Sequence, residues 1–258
     1  MLEFIDFTLL PTFILIFARM LAFLITLPVF SYRTIPFQYR LGLAFFLSLI
    51  VTSSFGNLDI DLTANFILLL IKEIAVGLLI GLISYMVMSV VQIAGGFIDF
   101  QMGFAIANVI DPQTGAQSPL IGQYFYMIAI LFFLSVDGHH ILLNGMIHSY
   151  TLIPLDGFLS FHEGFGEFIL LTFNRLFLIA FQMALPLVGS LFLVDVALGI
   201  IARTVPQLNV FVVGLPLKIA VSFFVLFFFM AMYIGLVKVL FQTLFEVMNQ
   251  LMLILGGA

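Results

Sequence analysis

Cysteine is absent from the 258 residues of this chain, and only 8% of them are charged. Without cysteine the chain can hold no disulfide framework, no thiolate nucleophile and no cysteine-ligated metal. A soluble domain is about 25% charged, whereas 64% of this chain is hydrophobic and its mean hydropathy is +1.30. The sequence is therefore that of an integral membrane protein, with the lipid bilayer as a partner.

Basic residues are also few. The eight Lys and Arg residues are scattered, the formal net charge is −5, and none of the eight lies between Glu73 and Asn174. No basic patch is available to bind nucleic acid or anionic lipid headgroups, so both kinds of binding are excluded. Glu3 and Asp6 stand where a signal peptide has Lys or Arg, so we expect the first apolar run to be a retained span.

Six hydrophobic stretches follow one another along the chain. They cover residues 7–30, 41–55, 65–94, 121–153, 167–204 and 215–255. A membrane-spanning helix needs about 20 residues, and the last stretch would form a helix about 60 Å long in a hydrocarbon core of about 30 Å. We predict an all-α, multi-pass membrane protein of long, partly broken hydrophobic helices and helical hairpins. The longest stretches either bend back, at points such as Pro186 or Gly235, or face other protein.

The positions of the cations predict an orientation. Arg33 and Arg40 flank the first connection, and Arg203 and Lys218 flank the last. If each stretch crosses the membrane once, the positive-inside rule gives a protein with both termini outside. The cytoplasmic connections would then be residues 31–40, 95–120 and 205–214.

A stripe of small and polar residues runs along the third stretch. Its members recur every three or four residues and so share one face of a helix. They are Glu73, Gly77, Gly81, Ser84, Met88, Gln92 and Gly95. Gly77 and Gly81 form a GxxxG pair, which lets membrane helices approach closely. We predict that the stripe packs against protein, with Asp99 on the same face if the helix survives the next two glycines. The alternative is that the glycine pair has no particular helix as its packing partner.

Charged residues inside the apolar stretches need partners. Arg19 lies near the middle of the first stretch, where an unpaired cation costs about 2.5 to 3.5 kcal/mol. We expect a structural ion pair or carbonyl contact there rather than a substrate or proton path. Lys72 and Glu73 are adjacent and so point about 100° apart on a helix, and we expect that they do not simply neutralise each other. Asp195 is expected to pair with other elements or with other subunits.

Four potential metal ligands also follow helical spacing. Asp137, His140, Asn144 and His148 step by three, four and four residues. The two histidines are two turns apart, so a polar packing face or a pore lining is favoured over a metal site. The sequence contains no GxSxG, HExxH, P-loop or Rossmann fingerprint. We therefore predict no enzymatic activity and no cofactor.

The stretch from Ala94 to Tyr126, AGGFIDFQMGFAIANVIDPQTGAQSPLIGQYFY, has a composition that hydrophobicity cannot explain. It combines carboxylates and amides with two prolines and five glycines, and it contains no basic residue. Such backbone is tolerated at membrane depth only where it is buried in protein or lines a water-filled cavity. We therefore expect this stretch to be the working part of the molecule. Within it, Met102 and Phe104 are candidate gate residues, although core packing is an equal alternative.

This stretch, together with VDVALGIIARTVPQLNVFVVGLPLKI from Val194 to Ile219, resembles the FliR family of flagellar export-gate proteins. Relatives of that family in virulence type III secretion are called SctT. The resemblance covers essentially the whole chain. It implies a non-enzymatic core subunit of the export gate in the bacterial inner membrane, at the flagellar basal body.

The resemblance also implies partners and parts. The subunit would assemble with FliP and FliQ into a channel for unfolded flagellar proteins and would work with FlhA and FlhB. Residues 1–258 would form one membrane domain, with a FliP-like part over about 1–205 and a FliQ-like helical hairpin over 206–258. Residues 104–120 would plug the closed channel from inside.

The plug or gate loop implied in this way comprises Asp99, Gln101, Met102, Gly103, Phe104, Asn108, Asp111, Pro112, Gln113, Gly115, Gln117 and Pro119. The second motif contributes Asp195, Arg203, Pro206, Gln207, Asn209, Gly214, Pro216 and Lys218.

Two alternatives come from other classes of protein. A proton-coupled secondary transporter would titrate Asp99, Glu73 or Asp195 at a broken helix near the membrane midplane. It would need an internal repeat with matching interrupted helices, and no convincing repeat is visible in the sequence. An intramembrane enzyme would need a catalytic constellation, which the sequence does not contain.

Overall fold

The computed structural model describes residues 9–31, 35–55, 64–104, 119–157, 164–207 and 209–257. Within these ranges the chain is all-α, which confirms the predicted fold class. The helices are α1 (Leu10–Thr26), α2 (Phe37–Phe55), α3 (Ala64–Met102), α4 (Leu120–Ser135), α5 (Gly138–Leu152), α6 (Phe165–Thr204) and α7 (Val210–Gly256).

Three of these helices are much longer than one membrane crossing. α3 has 39 residues, α6 has 40 and α7 has 47, so that α7 is about 70 Å long at 1.5 Å per residue. Of the two alternatives for the long stretches, the one in which they bend back at Pro186 or Gly235 is wrong, because α6 runs through the first residue and α7 through the second without a break. Apolar surroundings favour continuous helix, because no water is present there to bond the N–H and C=O groups that a break in the helix would leave unpaired.

Length and composition identify α3, α6 and α7 as helices able to cross a membrane, and α4 with α5 add a fourth span if the bent pair is counted as one. The predicted fourth stretch is thus two helices, separated at Val136 and Asp137. Asp137 has a left-handed backbone, with φ of 56°, which few residues other than glycine adopt. Six single crossings, as predicted, would also require α1 and α2 to cross the membrane. Among the described residues, neither helix is one of those identified as long and apolar enough to cross.

The chain divides into two compact units. The first contains Met1–Val87, Val136–Thr172 and Thr243–Ala258, and the second contains Met88–Ser135 and Phe173–Gln242. The boundaries between them fall inside α3, α6 and α7. Each unit is described separately below.

In the first unit, α3 packs closely on α1 at the GxxxG pair. A Cβ atom at Gly77 would collide with the carbonyl oxygen of Arg19, and a Cβ atom at Gly81 would collide with the side chain of Thr26. Only glycine therefore permits this helix separation. On the other side of α1, the ring of Phe45 from α2 meets Phe13 edge-on, with the ring centroids 5.5 Å apart.

In the second unit, aromatic contacts join α4 to α7. The rings of Phe125 and Tyr233 are stacked with centroids 4.4 Å apart, and the Tyr233 hydroxyl donates to the Phe125 carbonyl oxygen at 2.5 Å. Phe133 meets Phe241 edge-on at 5.0 Å. The buried phenol hydroxyl thus has an acceptor, as a tyrosine in an apolar core requires.

α6 and α7 form an antiparallel hairpin in the second unit. Asp195 of α6 pairs with Lys218 of α7, and Leu198 lies against Gly214, so the contacts are symmetric about the connection after Thr204. Residues 206–258 were predicted to form a helical hairpin by themselves, and this needs a correction. They contribute only one arm, the single helix α7, and the other arm is α6.

Much of the apolar surface of this hairpin is uncovered in the single chain. Phe173 and Leu193 of α6 and Phe224 and Phe227 of α7 are all more than half exposed. Lipid or other subunits must cover side chains of this kind, because large contiguous apolar surfaces are rarely left in water.

Candidate functional site

The two ends of the polar stretch are fastened together by Asp99. α3 continues through Gly95 and Gly96 to Met102, and Asp99 is buried. Each of its carboxylate oxygens accepts the backbone N–H of Ile121 at 3.2 Å. Ile121 lies in the first turn of α4, where N–H groups lack partners within the helix and a negative charge is favoured. Asp99 therefore caps α4 from α3.

Direct backbone packing reinforces this junction. A Cβ atom at Gly95 would overlap the Cα and N atoms of Gly122 in α4. A Cβ atom at Gly122 would in turn lie 3.0 Å from Pro119 Cβ and 3.1 Å from the Gln92 carbonyl oxygen. The helices α3 and α4 thus meet at positions where neither has a side chain. We call this glycine contact and the neighbouring Asp99–Ile121 hydrogen bonds the loop base, which comprises Gly95, Asp99, Ile121 and Gly122.

α3 ends in a defined capping motif. Gly103 has φ of 89°, its N–H donates to the Phe100 carbonyl oxygen at 3.2 Å, and the N–H of Phe104 donates to the Asp99 carbonyl oxygen at 3.0 Å. These two bonds and the left-handed glycine define a Schellman motif. The direction in which the chain leaves α3 is thus set by Gly103.

We expect Gly103→Ala to lower the stability of the folded chain by about 1 kcal/mol, because the left-handed conformation disfavours a Cβ atom. The measurement is the thermal unfolding midpoint of the detergent-solubilised protein. Gly189→Ala is the matched control, since Gly189 lies inside α6 with nothing within 4 Å of an added Cβ atom, and alanine is the better helix former. Equal midpoints for the two variants would contradict the capping role.

The predicted loop residues are only partly described. Asn108, Asp111, Pro112, Gln113, Gly115 and Gln117 lie outside the described residues. Of the others, Met102 is fully buried, while Gly103, Phe104 and Pro119 are half-buried at the two ends of the stretch. Pro119 lies over the loop base, and its carbonyl oxygen accepts the N–H of Gln123 at 2.8 Å in the first turn of α4.

A polar cluster joins the two sequence motifs within the second unit. The Gln101 amide donates to Asp195 Oδ2 at 2.8 Å, and Lys218 Nζ lies 2.5 Å from Asp195 Oδ1. Lys218 Nζ also lies 3.4 Å from the carbonyl oxygen of Gln101. The last turn of α3 is thereby tied to both arms of the α6–α7 hairpin. Asp195 does pair with another element, as the sequence predicted.

The remaining residues of the second motif surround the α6–α7 connection. Asn209 caps α7, with its side-chain oxygen 3.4 Å from the N–H of Val212, as expected for an N-cap asparagine. Gly214 is buried against Leu198. The exposed members of the motif are Arg203, Pro206, Gln207 and Pro216.

A buried ion cluster occupies the first unit. The Arg19 guanidinium donates to Glu73 through Nε and through Nη2, the latter at 2.8 Å. It also donates to Ser149 Oγ at 3.1 Å and to the Ile153 carbonyl oxygen at 2.9 Å, and it stacks on the Tyr150 ring at 4.3 Å. The predicted partner of Arg19 is thus a carboxylate on α3, and α5 together with Ile153, the residue after it, supplies the remaining contacts.

Lys72 belongs to the same cluster. Its Nζ atom lies 2.9 Å from Glu73 Oε1, so the expectation that these neighbours do not neutralise each other is wrong. The long lysine side chain spans the angle between the two positions. Lys72 Nζ also donates to the carbonyl oxygens of Pro154, Leu155 and Gly157 at 2.7 to 2.9 Å. It thereby anchors the chain that follows α5, a role that no local sequence pattern signals.

The residues of the α3 stripe lie largely inside the molecule. Glu73, Gly77, Gly81 and Ser84 are buried in the first unit, and in the second unit Met88 and Gly95 are buried while Gln92 is half-buried. The N-terminal end of the stripe carries Glu73, the acid of the ion cluster, and its C-terminal end carries Gly95, a glycine of the loop base.

The potential metal ligands are arranged differently from the predicted row. The structure gathers Asp137, His139 and His140, whose ligand atoms all lie within 4.8 Å of one another. Asn144 and His148 are exposed further along α5, and His148 Nδ1 lies 3.1 Å from the Thr151 hydroxyl. A cation beside His139 and His140 would face the positive end of the α5 dipole, so we assign no metal to this group.

Comparison with known proteins gives consistent results. The family model described as "Bacterial export proteins, family 1" matches residues 10–244. The chain is 55% identical over 251 residues to "Flagellar biosynthetic protein FliR" of Bacillus subtilis (strain 168), covering 95% of this chain and 96% of that protein. It is 28% identical over 235 residues to the protein of the same name from Escherichia coli (strain K12), covering 89% and 88%.

A protein named for translocation is also similar. "Yop proteins translocation protein T" of Yersinia pestis is 33% identical over 215 residues, which are 82% of each chain. The family description names export proteins, and the names of the relatives refer to flagellar biosynthesis and to translocation, which confirms the prediction that the chain is not an enzyme. The match along most of the chain and the full-length similarity lead to one conclusion: this membrane protein belongs to family 1 of the bacterial export proteins, the FliR family.

Proposed function

We propose that this chain is a core subunit of the flagellar type III protein-export gate. With FliP-like and FliQ-like subunits it forms a channel for unfolded flagellar proteins, and residues 104–120 plug that channel when it is closed. The observation that carries the proposal is the loop base, where Asp99 holds Ile121 and Gly95 meets Gly122. A loop fastened so tightly at both ends can occupy a pore without being carried away by substrate.

Other subunits are required by this proposal. The gate lies in the inner membrane at the flagellar basal body and works with FlhA-like and FlhB-like components. The uncovered apolar surface of α6 and α7 supports assembly with further membrane subunits. We propose that the α6–α7 hairpin is the FliQ-like part and that the chain before it is the FliP-like part.

Shortening residues 108–118 tests the plug. We expect small-ion leakage through the assembled gate to rise several-fold, measured as membrane depolarisation in cells that carry the complete apparatus. Gln113→Ser with Gln117→Ser is the control, since it changes the loop side chains without changing the loop length. Unchanged leakage together with unchanged export would show that this segment is no plug.

The proton-coupled transporter finds less support. Glu73 is held by Arg19 and Lys72, Asp195 by Lys218, and Asp99 by the N-terminus of α4. In the described ranges α3 and α6, which carry these acids, are continuous, whereas transporters of that kind place their sites at interrupted helices. Solute uptake by the purified chain alone would favour the transporter instead.

A further inference from the structure

Two attachments of different kinds hold the last turn of α3 within the second unit. On one side of the helix, Asp99 accepts the N–H of Ile121 at the loop base. Gln101 follows two residues later and so points about 200° away around the helix, where it contacts the α6–α7 hairpin. The place where the chain leaves α3 is therefore held from opposite sides.

The contacts with the hairpin form a closed circuit of three residues. The Gln101 amide donates to Asp195 of α6 at 2.8 Å, Asp195 pairs with Lys218 of α7 at 2.5 Å, and Lys218 Nζ lies 3.4 Å from the Gln101 carbonyl oxygen. We call Gln101, Asp195 and Lys218 the hairpin joint. Both arms of the hairpin are attached to α3 through it.

The hairpin joint also supplies a charge that the end of α3 favours. The carbonyl group of Gln101 is among the last four of the helix, which lack N–H partners within it. The end of the helix dipole is negative there, so the Lys218 ammonium is favourable, just as the Asp99 carboxylate is favourable at the start of α4. The end of α3 thus depends on the hairpin, and the start of α4 depends on α3.

The two attachments differ in strength. At the loop base, Asp99 is only 5% exposed, and the backbones of Gly95 and Gly122 are in direct contact. In the hairpin joint, the side chains of Lys218 and Asp195 are 18% and 37% exposed. Accessible ion pairs of this kind stabilise a structure little and are weakened further by salt. If the hairpin moves, the joint therefore parts before the loop base does.

We propose that the hairpin joint is a releasable clamp, through which the α6–α7 hairpin holds the plug closed. Gln101, Asp195 and Lys218 are positioning residues: they fix the last turn of α3, and with it Asp99 and both ends of the plug. Export requires the hairpin to part from α3, so that the loop base moves as one piece. The inference rests on the proposed function, in which residues 104–120 form the plug.

Substitutions in the joint test the clamp in cells that carry the complete apparatus. Gln101→Leu removes the amide and leaves the pair of Asp195 with Lys218 in place. Asp195→Lys combined with Lys218→Asp keeps an ion pair between α6 and α7 but turns a carboxylate toward the Gln101 carbonyl oxygen. We expect both changes to raise small-ion leakage several-fold, measured as membrane depolarisation. Gln242→Leu, the same change at an exposed position of α7, should leave leakage at the native level.

Native leakage in the exchanged pair would overturn the clamp, because the pair would then serve only to hold the two arms together. Equal leakage for Gln101→Leu and Gln242→Leu would overturn it as well. The amount of chain in the membrane is measured alongside. If the exchange lowers that amount, Asp195→Leu with Lys218→Met takes its place, since an apolar pair can substitute for an ion pair in packing, and the same outcomes apply.

The absence of cysteine allows the joint to be locked chemically. In a chain with Gln101→Cys and Asp195→Cys the clamp is lost, so we expect raised leakage. A short bifunctional thiosulfonate that links the two thiols should return leakage to the native level and lower export about tenfold, because a gate that cannot move cannot pass substrate. A reducing agent should then restore export. Normal export by the linked chain would show that the hairpin need not part from α3.

Shortening residues 108–118 tests the plug separately. If shortening raises leakage while Gln101→Leu and the exchanged pair do not, the clamp is wrong and the plug stands. If shortening leaves leakage and export unchanged while the link between positions 101 and 195 still stops export, the plug is wrong and the movement of the hairpin stands.

Discussion

Glu73→Ala is expected to destabilise the folded chain by about 3–5 kcal/mol, the range found when one partner of a buried ion pair is removed. The substitution removes the carboxylate shared by the Arg19 guanidinium, which is fully buried, and the Lys72 ammonium, which is nearly so. Asp156 still attracts Lys72, but more weakly than Glu73 does. The two cations would then repel each other in a medium of low dielectric constant. Their remaining contacts, to Ser149 Oγ and to carbonyl oxygens, are neutral.

The measurement is the thermal unfolding midpoint of the solubilised chain, together with its steady-state amount in the membrane. Glu167→Ala is the matched control, because Glu167 is an exposed carboxylate in the first turn of α6, where a favourable charge contributes about 0.3–1 kcal/mol. Replacing both Arg19 and Glu73 with leucine should cost less than the sum of the single replacements, since no charge of that pair is then left uncompensated. Lys72 keeps its three carbonyl acceptors in the double variant.

Equal unfolding midpoints for Glu73→Ala and Glu167→Ala would contradict the role of the ion cluster. So would single effects that add up to that of the double replacement, because independent sites behave in that way.

Sequence periodicity marks one side of α3, and the residues on that side are buried or half-buried. The stripe from Glu73 to Gly95 follows steps of three and four, and a helix with this period places such residues on one side regardless of what covers them. Arg19 was predicted to have a structural partner because a lone cation in lipid is unfavourable. Its identity as Glu73, 54 positions away, could not be predicted, since periodicity carries no information about which helices become neighbours.

The errors have equally specific causes. Lys72 and Glu73 were judged by the angle between their Cα–Cβ bonds, whereas a lysine side chain is long enough to turn toward its neighbour. The resemblance implied a helical hairpin over residues 206–258, with an approximate boundary. The contacts of Asp195 with Lys218 show that its turn follows Thr204. A bend at Pro186 or Gly235 was one of two alternatives for the long helices, and neither residue must interrupt a helix in apolar surroundings.

The loop base was visible in the sequence only as an unusual composition. Gly95 and Gly122 are 27 positions apart in the sequence. They come into contact only because α4 packs back against α3 at these two positions. The sequence therefore indicated that the stretch was special, but not that Asp99 would cap α4. Capping across two helices depends on tertiary packing, whereas sequence rules for caps apply to residues next to the helix they cap.

Gly95→Ala is expected to separate α3 from α4 and to reduce flagellar export by more than tenfold. The added Cβ atom would overlap backbone atoms of Gly122, and backbone cannot turn aside as a flexible side chain can. Moving α4 away also breaks the bonds from Ile121 to Asp99, which leaves a buried carboxylate without its donor at a cost of about 1–3 kcal/mol or more. Both ends of the proposed plug would then lose their anchor.

Gly96→Ala is a control one residue away. Its Cβ atom would approach only Pro119 Cγ, at 3.5 Å, which is an ordinary van der Waals contact, and alanine favours helix over glycine by about 1 kcal/mol. Motility and the amount of secreted flagellar protein measure export, and the amount of chain in the membrane shows whether the fold survives. If the Gly95→Ala chain is present at normal level and exports as well as the Gly96→Ala chain, the backbone contact at the loop base is not required. If export falls for Gly95→Ala alone, then the fixed separation of α3 and α4 is what holds the polar stretch in a working position.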